Sequence, residues 1–473
     1  MKMMSKVRRL HPAAILFQFF KLLKGWVIYL LIGLITIKGE GLIYYSLLVL
    51  LFIFVLLTIS ILKWYRFTYQ IGEDEFRIEY GIFIRKKRYI SKHRIQSIDL
   101  SANPIHQIFH LVKVEIETAG SGTDTEASLQ AVKLAEGEKI RERFKGSSIQ
   151  EEQPKQKPAS KNITNKDLLL AGATSGSTGV ILALLAAVFS EIEQIIPDHF
   201  YDQTVAWLIG LSVTYIILLA AAVLIFIWIL GIVGTVLKYW NFTITKTENE
   251  LVITRGLLVK KHATIPLKRI QAVGIKESII RQPLGYVAVF AEVAGSSLDN
   301  GEDFSTLLFP IMKKGEVKRF LQHFLPDYTI PEERLTTIPK RGIKYYLFRG
   351  SVLFFILAGG SMFFIPKYSW LFILLLVISV YFGYLRSKDC GFHIKGERVV
   401  IQFRVLSKMT VLLYKKRIQS MENKQHFLQR KEQLATVKIS IIAREGSANY
   451  KLKELDEADT NILSDWYSFQ NNR

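Results

Sequence analysis

His106 and His110 have the i, i+4 spacing that seats a metal on one face of a helix. The same stretch recurs later in the chain, where the aligned positions are Arg281 and Gly285. Neither can ligate through its side chain, so a metal site shared by the copies is excluded, and the two histidines read as loop or surface residues. Cys390 is the only cysteine, which rules out an intrachain disulfide and a multi-Cys zinc site. Gly172-Ala173-Thr174-Ser175-Gly176-Ser177-Thr178-Gly179 is glycine-rich but lacks the Gly-Lys-Ser/Thr ending of a phosphate loop. It opens an apolar run, where small residues spaced by four let helices approach closely. No nucleophile–base set stands out. An enzyme is the weakest reading, and no cofactor is expected.

Two further groups bear on binding. Arg85-Lys86-Lys87-Arg88 is the densest basic run; Lys260-Lys261-His262 is its counterpart, and Ser407-Lys408 a weaker one. Beside a membrane such a run attracts anionic headgroups at roughly 1 kcal/mol per basic residue. The alternative is a solvated strand turn whose charge only sets topology. Both stand for the first copy, and the third reads as the alternative. Arg94-Ile95-Gln96 recurs as Arg269-Ile270-Gln271 and Arg417-Ile418-Gln419. These side chains either contact a partner or hold a barrel rim together, and the structural role is favoured.

The elements that must position these groups begin with the membrane. Of 473 residues, 50% are hydrophobic, and 62 Lys+Arg against 41 Asp+Glu leave a net charge of +21. Nucleic-acid binding would explain the charge but not the apolar runs; a membrane protein with basic cytoplasmic parts explains both. Spanning a bilayer takes about 20 apolar residues. Six stretches qualify, in pairs: 17–37 and 42–62, 168–190 and 204–237, 346–365 and 370–385. Lys21 and Lys24 interrupt the first, so that part of 10–24 suits the interface. Lys2, Lys6, Arg8, Arg9, Lys63, Arg66, Lys238, Lys340, Arg341, Lys344, Arg386 and Lys388 flank the open ends of the pairs. The middle loop instead carries Glu191, Glu193, Asp198 and Asp202. Positive flanks stay inside, which puts both termini and the polar segments in the cytoplasm of a cell membrane.

Each pair is followed by a similar polar segment. Gly81-Ile82-Phe83-Ile84-Arg85 matches Gly256-Leu257-Leu258-Val259-Lys260, and Glu117-Thr118-Ala119-Gly120-Ser121 matches Glu292-Val293-Ala294-Gly295-Ser296. Phe76, Ile78, Ile82 and Ile84 alternate along a strand interrupted at Gly81, as do Leu251, Ile253, Leu257 and Val259, and Val399, Ile401, Phe403 and Val405. Arg404 replaces the glycine in the third copy, which predicts an altered hairpin. Ile95 and Ile98 cannot share a face under strict alternation, which predicts a bulge or a barrel rim. Helical patterns close the copies at 136–144, 315–324 and 456–469. The expected architecture is a multi-pass α-helical membrane protein with three repeated β-barrel domains, each preceded by a two-helix hairpin. Its segments are hairpins at 1–62, 163–237 and 343–386, domains at 63–145, 238–325 and 387–473, and linkers at 146–162 and 326–342.

The repeated unit resembles the bacterial pleckstrin-homology-like family once called DUF304, or bPH2. The resemblance is carried by Gly81 and Gly256, the Arg-Ile-Gln element, a loop Gln before an apolar strand (Gln107, Gln282 and, after a one-residue shift, Gln429) and the Glu-x-Ala-Gly strand end. It implies a PH-like barrel with a C-terminal helix, no established enzymatic activity, and partnership with a smaller one-domain relative; self-association is the other option. The function expected is a non-enzymatic scaffold binding a partner protein or lipid headgroups, in envelope maintenance or resistance to membrane-active peptides. The alternative is a transporter or lipid-handling protein, and no nucleic acid is expected.

Overall fold

The computed structural model describes residues 6–37, 39, 41–72, 74–118, 127–144, 159–176, 179, 181–183, 212–294, 306–331, 333–443 and 446–468. Four helices among them are long and apolar enough to cross a membrane: Gly41–Arg66, Thr214–Tyr239, Lys340–Phe364 and Pro366–Lys388. Their apolar side chains point outward, as a lipid solvent requires; Phe54, Phe226, Phe355 and Tyr381 are all exposed. In the last pair, Gly350 and Gly383 let the helices close: Ser379 donates to the Gly350 carbonyl, and a Cβ on Gly383 would lie 3.0 Å from the Tyr346 oxygen.

The expected first span, 17–37, is not one helix. It divides into Ala14–Lys24 and Val27–Thr36. The bend between Ala14–Lys24 and Val27–Leu34 is 66°. The cause is packing: Ala13, Ala14 and Phe17 join the core of the first β domain, so the lysine-bearing half lies on protein. The second pair is described only in part. The helix Asn165–Ala173 packs on Val213–Tyr239, while the expected positions 184–211, including the acidic loop, lie outside the described residues.

Strands are numbered along the chain. The chain divides into two compact units, 1–245 with 252–264, and 246–251 with 265–473. In the first unit, β1 (Arg8–Arg9), β2 (Thr68–Ile71), β3 (Glu75–Tyr80) and β4 (Lys86–Ser91) form one antiparallel sheet. The next three, β5 (Ile95–Ala102), β6 (Leu111–Thr118) and β7 (Ala127–Lys133), start a second sheet. That sheet continues through strands of the second repeat: β8 (Ser160–Asn162), β9 (Thr243–Lys246), β10 (Glu250–Arg255) and β11 (Lys260–Pro266). Its order is β7-β6-β5-β11-β10-β9-β8. Tyr69, Phe76 and Ile78 from one sheet meet Leu100, Val114 and Leu129 from the other, and Ile140 and Phe144 of the closing helix Leu134–Phe144 complete the core.

The second unit repeats the scheme. The strands β12 (Ile270–Glu277), β13 (Tyr286–Val293) and β14 (Thr306–Lys313) share a sheet with β15 (Thr336–Thr337), β16 (Gly391–Lys395), β17 (Arg398–Arg404) and β18 (Lys408–Tyr414). The order is β14-β13-β12-β18-β17-β16-β15. The remaining β19 (Ile418–Lys424), β20 (Leu434–Ala443) and β21 (Gly446–Asp456) form a separate sheet. The core of the third domain combines Val399, Ile401, Val411, Val437, Leu452 and Leu463 with Ala272 and Phe290 of the second repeat. Closing helices run Val317–Phe324 and Glu457–Ser468.

Three short strands were invisible to alternation. Arg8 pairs with Tyr69, Ser160 with Thr245 and Thr336 with Phe392, so each repeat takes an extra strand from the chain ahead of its membrane helices. Two of them fall in stretches that the sequence reads as linker.

Candidate functional site

The Gly81 and Gly256 stretches are turns, not continued strands. The backbone φ is +115° at Gly81 and +102° at Gly256, and a Cβ on either would strike the carbonyl oxygen three residues on. Only glycine fits there without strain. Phe76 and Ile78 are buried on β3 as expected, but Ile84 is 73% exposed, Phe83 is 96% exposed, and Leu257 and Val259 lie outside as well. In the third repeat the strand runs to Arg404, and the altered hairpin expected there leaves Val405 and Leu406 outside.

Each of these turns sits at the end of the membrane helix that precedes it. Tyr80, beside the first turn, stacks on Phe67, which follows the helix Gly41–Arg66. Leu257 donates its N–H to the Leu237 carbonyl at 2.9 Å, and Gly256 to Trp240 at 2.9 Å. Arg386 Nε donates to the Val405 carbonyl at 2.8 Å. The loop after the fifth strand of the third repeat lies at the start of the other helix: Tyr345 donates to the Leu428 carbonyl at 3.2 Å, and Lys344 pairs with Glu432. Phe427 and Leu428 on this loop are exposed, like Ile108 and Phe109, and Ile279 and Ile280, in the other copies. Apolar tips thus recur on this loop in all three copies, and in the third the loop adjoins the start of a membrane helix.

The first turn alone carries the full basic run. Arg85 and Arg77 both bond Glu79, with Lys87 at 3.9 Å. Against a desolvation penalty, these bonds hold the Glu79 carboxyl below the usual range. Lys86, Lys87 and Arg88 project from exposed positions on β4. The counterparts Lys260 and Lys261 start β11, where the backbone pairs with Ala102 and Ser101 of the first repeat.

That pairing is a joint between repeats, and it occurs twice. Lys260, Lys261 and His262 lie opposite Ala102, Ser101 and Leu100. In the second unit Lys408 lies opposite Glu277, and the ladder continues to Leu413 opposite Ala272. Lys260 with Ala102, and Lys408 with Glu277, are aligned positions, so both joints have one register. The loop glutamines serve these joints. Gln107 Nε2 donates to the carbonyls of Leu257 and Leu258 at 3.2 and 2.7 Å. Gln282 Oε1 accepts from Arg404 Nη2 at 2.6 Å. Arg404 is buried and paired with Asp389; as the last residue of β17 it is not among the positive-φ residues, so the third repeat needs no glycine there. Gln429 turns inward, donating to Glu454 at 2.7 Å. The first joint also uses Asp99, whose Oδ1 accepts the Thr264 N–H at 3.0 Å. Desolvation raises its carboxyl well above the usual range, and Glu117 adds to the effect.

The Arg-Ile-Gln element follows one pattern throughout. Arg94, Arg269 and Arg417 end single 3-10 turns, and Ile95, Ile270 and Ile418 begin strands. The ladder slips between Ile95 and Ser97, Ile270 and Ala272, and Ile418 and Ser420, a bulge at Gln96, Gln271 and Gln419. Arg269 Nε bonds the Ala294 carbonyl at 2.9 Å, tying the turn to the Glu-x-Ala-Gly strand end. Gln271 Nε2 bonds the Arg269 carbonyl at 3.0 Å, and Arg417 Nη2 the Lys268 carbonyl at 2.7 Å. The matching Ala119-Gly120 and Gly295 lie outside the described residues.

The other groups with chemical promise are absorbed by packing. His106 is buried against Phe17, ring centroids 3.8 Å apart, with Nε2 2.7 Å from the Gln130 carbonyl. Burial lowers its pKa. His110 follows the short helix Pro104–Ile108 in a left-handed conformation, φ 53°. No metal cluster occurs among the described residues. Gly172 lies against Ile232, where a Cβ would meet it at 3.1 Å, and Ser175 Oγ is 3.1 Å from Thr235 Oγ1. Cys390 is buried in the third core, where desolvation pushes the thiol up and inert.

What the fold and rim define is a membrane protein built of three PH-like domains. The model for the bacterial PH domain, bPH_2, matches residues 18–147, 180–327 and 352–469, and the chain belongs to that family. Along its whole length it is similar to the UPF0699 transmembrane protein YdbT of Bacillus subtilis (strain 168), at 35% identity over 99% of each chain.

Proposed function

We propose that the chain is a non-enzymatic scaffold of the cell membrane whose PH-like domains press an apolar and basic rim against anionic lipid headgroups. A two-helix hairpin leads into each domain within the segment limits given above, and both termini and all three domains face the cytoplasm. The observation that carries this reading is the turn at Gly81. Phe83 is 96% exposed at its tip, beside the end of a membrane helix, and Arg85, Lys86, Lys87 and Arg88 follow it. An apolar tip that enters the headgroup region, backed by cations that attract its phosphates, is the physics of interfacial binding. Lys260 and Lys261 would add to it from the second repeat. The same scaffold would hold a protein partner, either a smaller one-domain relative or another copy. Envelope maintenance or resistance to membrane-active peptides is the service in view.

The test labels Phe83→Cys with an environment-sensitive fluorophore in full-length protein reconstituted into nanodiscs. Emission should shift to the blue in discs containing phosphatidylglycerol, relative to phosphatidylcholine alone. The shift should be lost when Arg85, Lys86 and Lys87 become Gln, since each cation contributes about 1 kcal/mol. Equal emission in both lipids would overturn the reading.

A further inference from the structure

Two strand edges in this molecule match the two edges that form its internal joints, and among the described residues no strand covers either. In the first repeat β4 ends its sheet, and in the third β19 ends its sheet. Their counterparts do not end sheets: β11 and β18 pair outward onto β5 and β12 of the preceding repeat. Burial records the difference. Along β12 every residue but Lys276 is buried, whereas along β19 only Ile418 is. Lys86, Lys87, Arg88 and Tyr89 of β4 are exposed, while the aligned Lys261, His262 and Ala263 of β11 are half-buried and Thr264 is buried.

We propose that β19 of one copy pairs with β4 of a second copy of this chain, antiparallel and in the register of the internal joints. An open edge offers unpaired N–H and C=O groups, and strand addition satisfies them. The register is fixed by alignment. Lys87 falls opposite Asn423, as His262 does opposite Leu100. Arg88 falls opposite Glu422, as Val411 does opposite Gly274, which sets a cation against a carboxylate that Lys424 of the same strand already holds at 3.0 Å, so the gain from this pair is modest. Exposed Arg430 takes the place of Gln282, facing the turn that holds Phe83. Lysines on β4 are compatible with pairing, because β11 opens with Lys260-Lys261 and is paired all the same. Lys86 does fall opposite Lys424, so this contact is weaker than the internal joints, with confinement to one membrane raising the effective concentration. The contact is head-to-tail, using different surfaces on the two copies, and so builds rings or chains.

This deepens the scaffold reading and names its partner, but it is independent of lipid binding. Retained pairing with an unshifted fluorophore would separate the two. The experiment co-expresses two differently tagged full-length chains, one carrying Lys87→Cys and the other Asn423→Cys, both with Cys390→Ser, and oxidises intact membranes with copper phenanthroline. The mixed pair should yield a disulfide-linked dimer carrying both tags. Lys87→Cys paired with Lys438→Cys, on the inner neighbour β20, should not. Lys424→Glu on the Asn423→Cys chain should increase the yield. Three results would overturn the proposal: no mixed dimer from variants that insert and melt like the parent, dimers only between like positions, or cross-links only to a shorter protein.

Discussion

The two joints use one register and different chemistry. The first pairs three residues and then hands over to side chains: Asp99 takes the Thr264 N–H, and Gln107 takes two turn carbonyls. The second runs six residues without interruption, because Gly274 stands where Asp99 does. Without a side chain there, the Phe290 ring lies across the strand and enters the third domain's core. A buried Tyr450 hydroxyl also donates to Glu292 at 3.2 Å, whereas the matching Glu117 accepts from Ser97 of its own repeat. Edge pairing supplies the common geometry. Whether a joint becomes part of a core or remains a polar seam depends on one position.

The sharpest way to break the second joint is Arg404→Met. It strands the Asp389 carboxylate and frees Gln282. Removing one partner of a buried pair costs about 3–5 kcal/mol, and the value should sit near the lower end because Lys408 remains 3.1 Å from Asp389. The apparent Tm of the purified protein should fall accordingly; an unchanged Tm would refute the buried link. Gly274→Ala comes next. Its methyl collides with the Phe290 ring, and overpacking of this kind costs about 1–3 kcal/mol. The matching Asp99→Ala removes a group and adds none, so no such clash should register in the same melt.

Asp99→Asn sharpens the comparison through pH. The folded state keeps a proton on Asp99 after the unfolded chain has lost it. Stability of the first joint therefore falls as pH rises from about 4, the ordinary aspartate range, towards the raised folded value. The amide still accepts the Thr264 N–H and does not ionise. The variant should show a flatter Tm profile from pH 4 to 8 and a higher Tm at neutral pH. Parallel profiles would count against a desolvated carboxyl. Smallest is Gln107→Ala, which removes the bonds from Nε2 to the Leu257, Leu258 and Ala102 carbonyls at a rim where water can replace them, worth about 0.5–1.5 kcal/mol net. Hydrogen exchange at β11 should quicken while exchange at β18 stays put.

Much of each domain was legible because it rests on local rules. Alternation at Phe76 and Ile78, or Leu251 and Ile253, locates buried strand positions, and the misfit of Ile95 with Ile98 foretells the bulge at Gln96. The same alternation misled at Ile84: it belongs to a turn after Gly81, where the two-residue period no longer applies, and it is exposed while Ile82 is only half-buried. The joints were hidden because backbone pairing between repeats leaves little mark on side-chain type. Only the loop glutamines hinted at them, and as family features rather than contacts. The break near Gly25 was half legible. Lys21 and Lys24 spoke against a deep span, but the burial of Ala14 and Phe17 on the first domain is a tertiary choice.

Glu454 gives the third domain a mechanical grip on its membrane helix. Wholly enclosed and held at φ 55°, it receives Gln429 on one oxygen and Arg349 of the helix Lys340–Phe364 on the other. Turning or sliding that helix would pull a base away from an enclosed acid, so the segment and the domain tilt together.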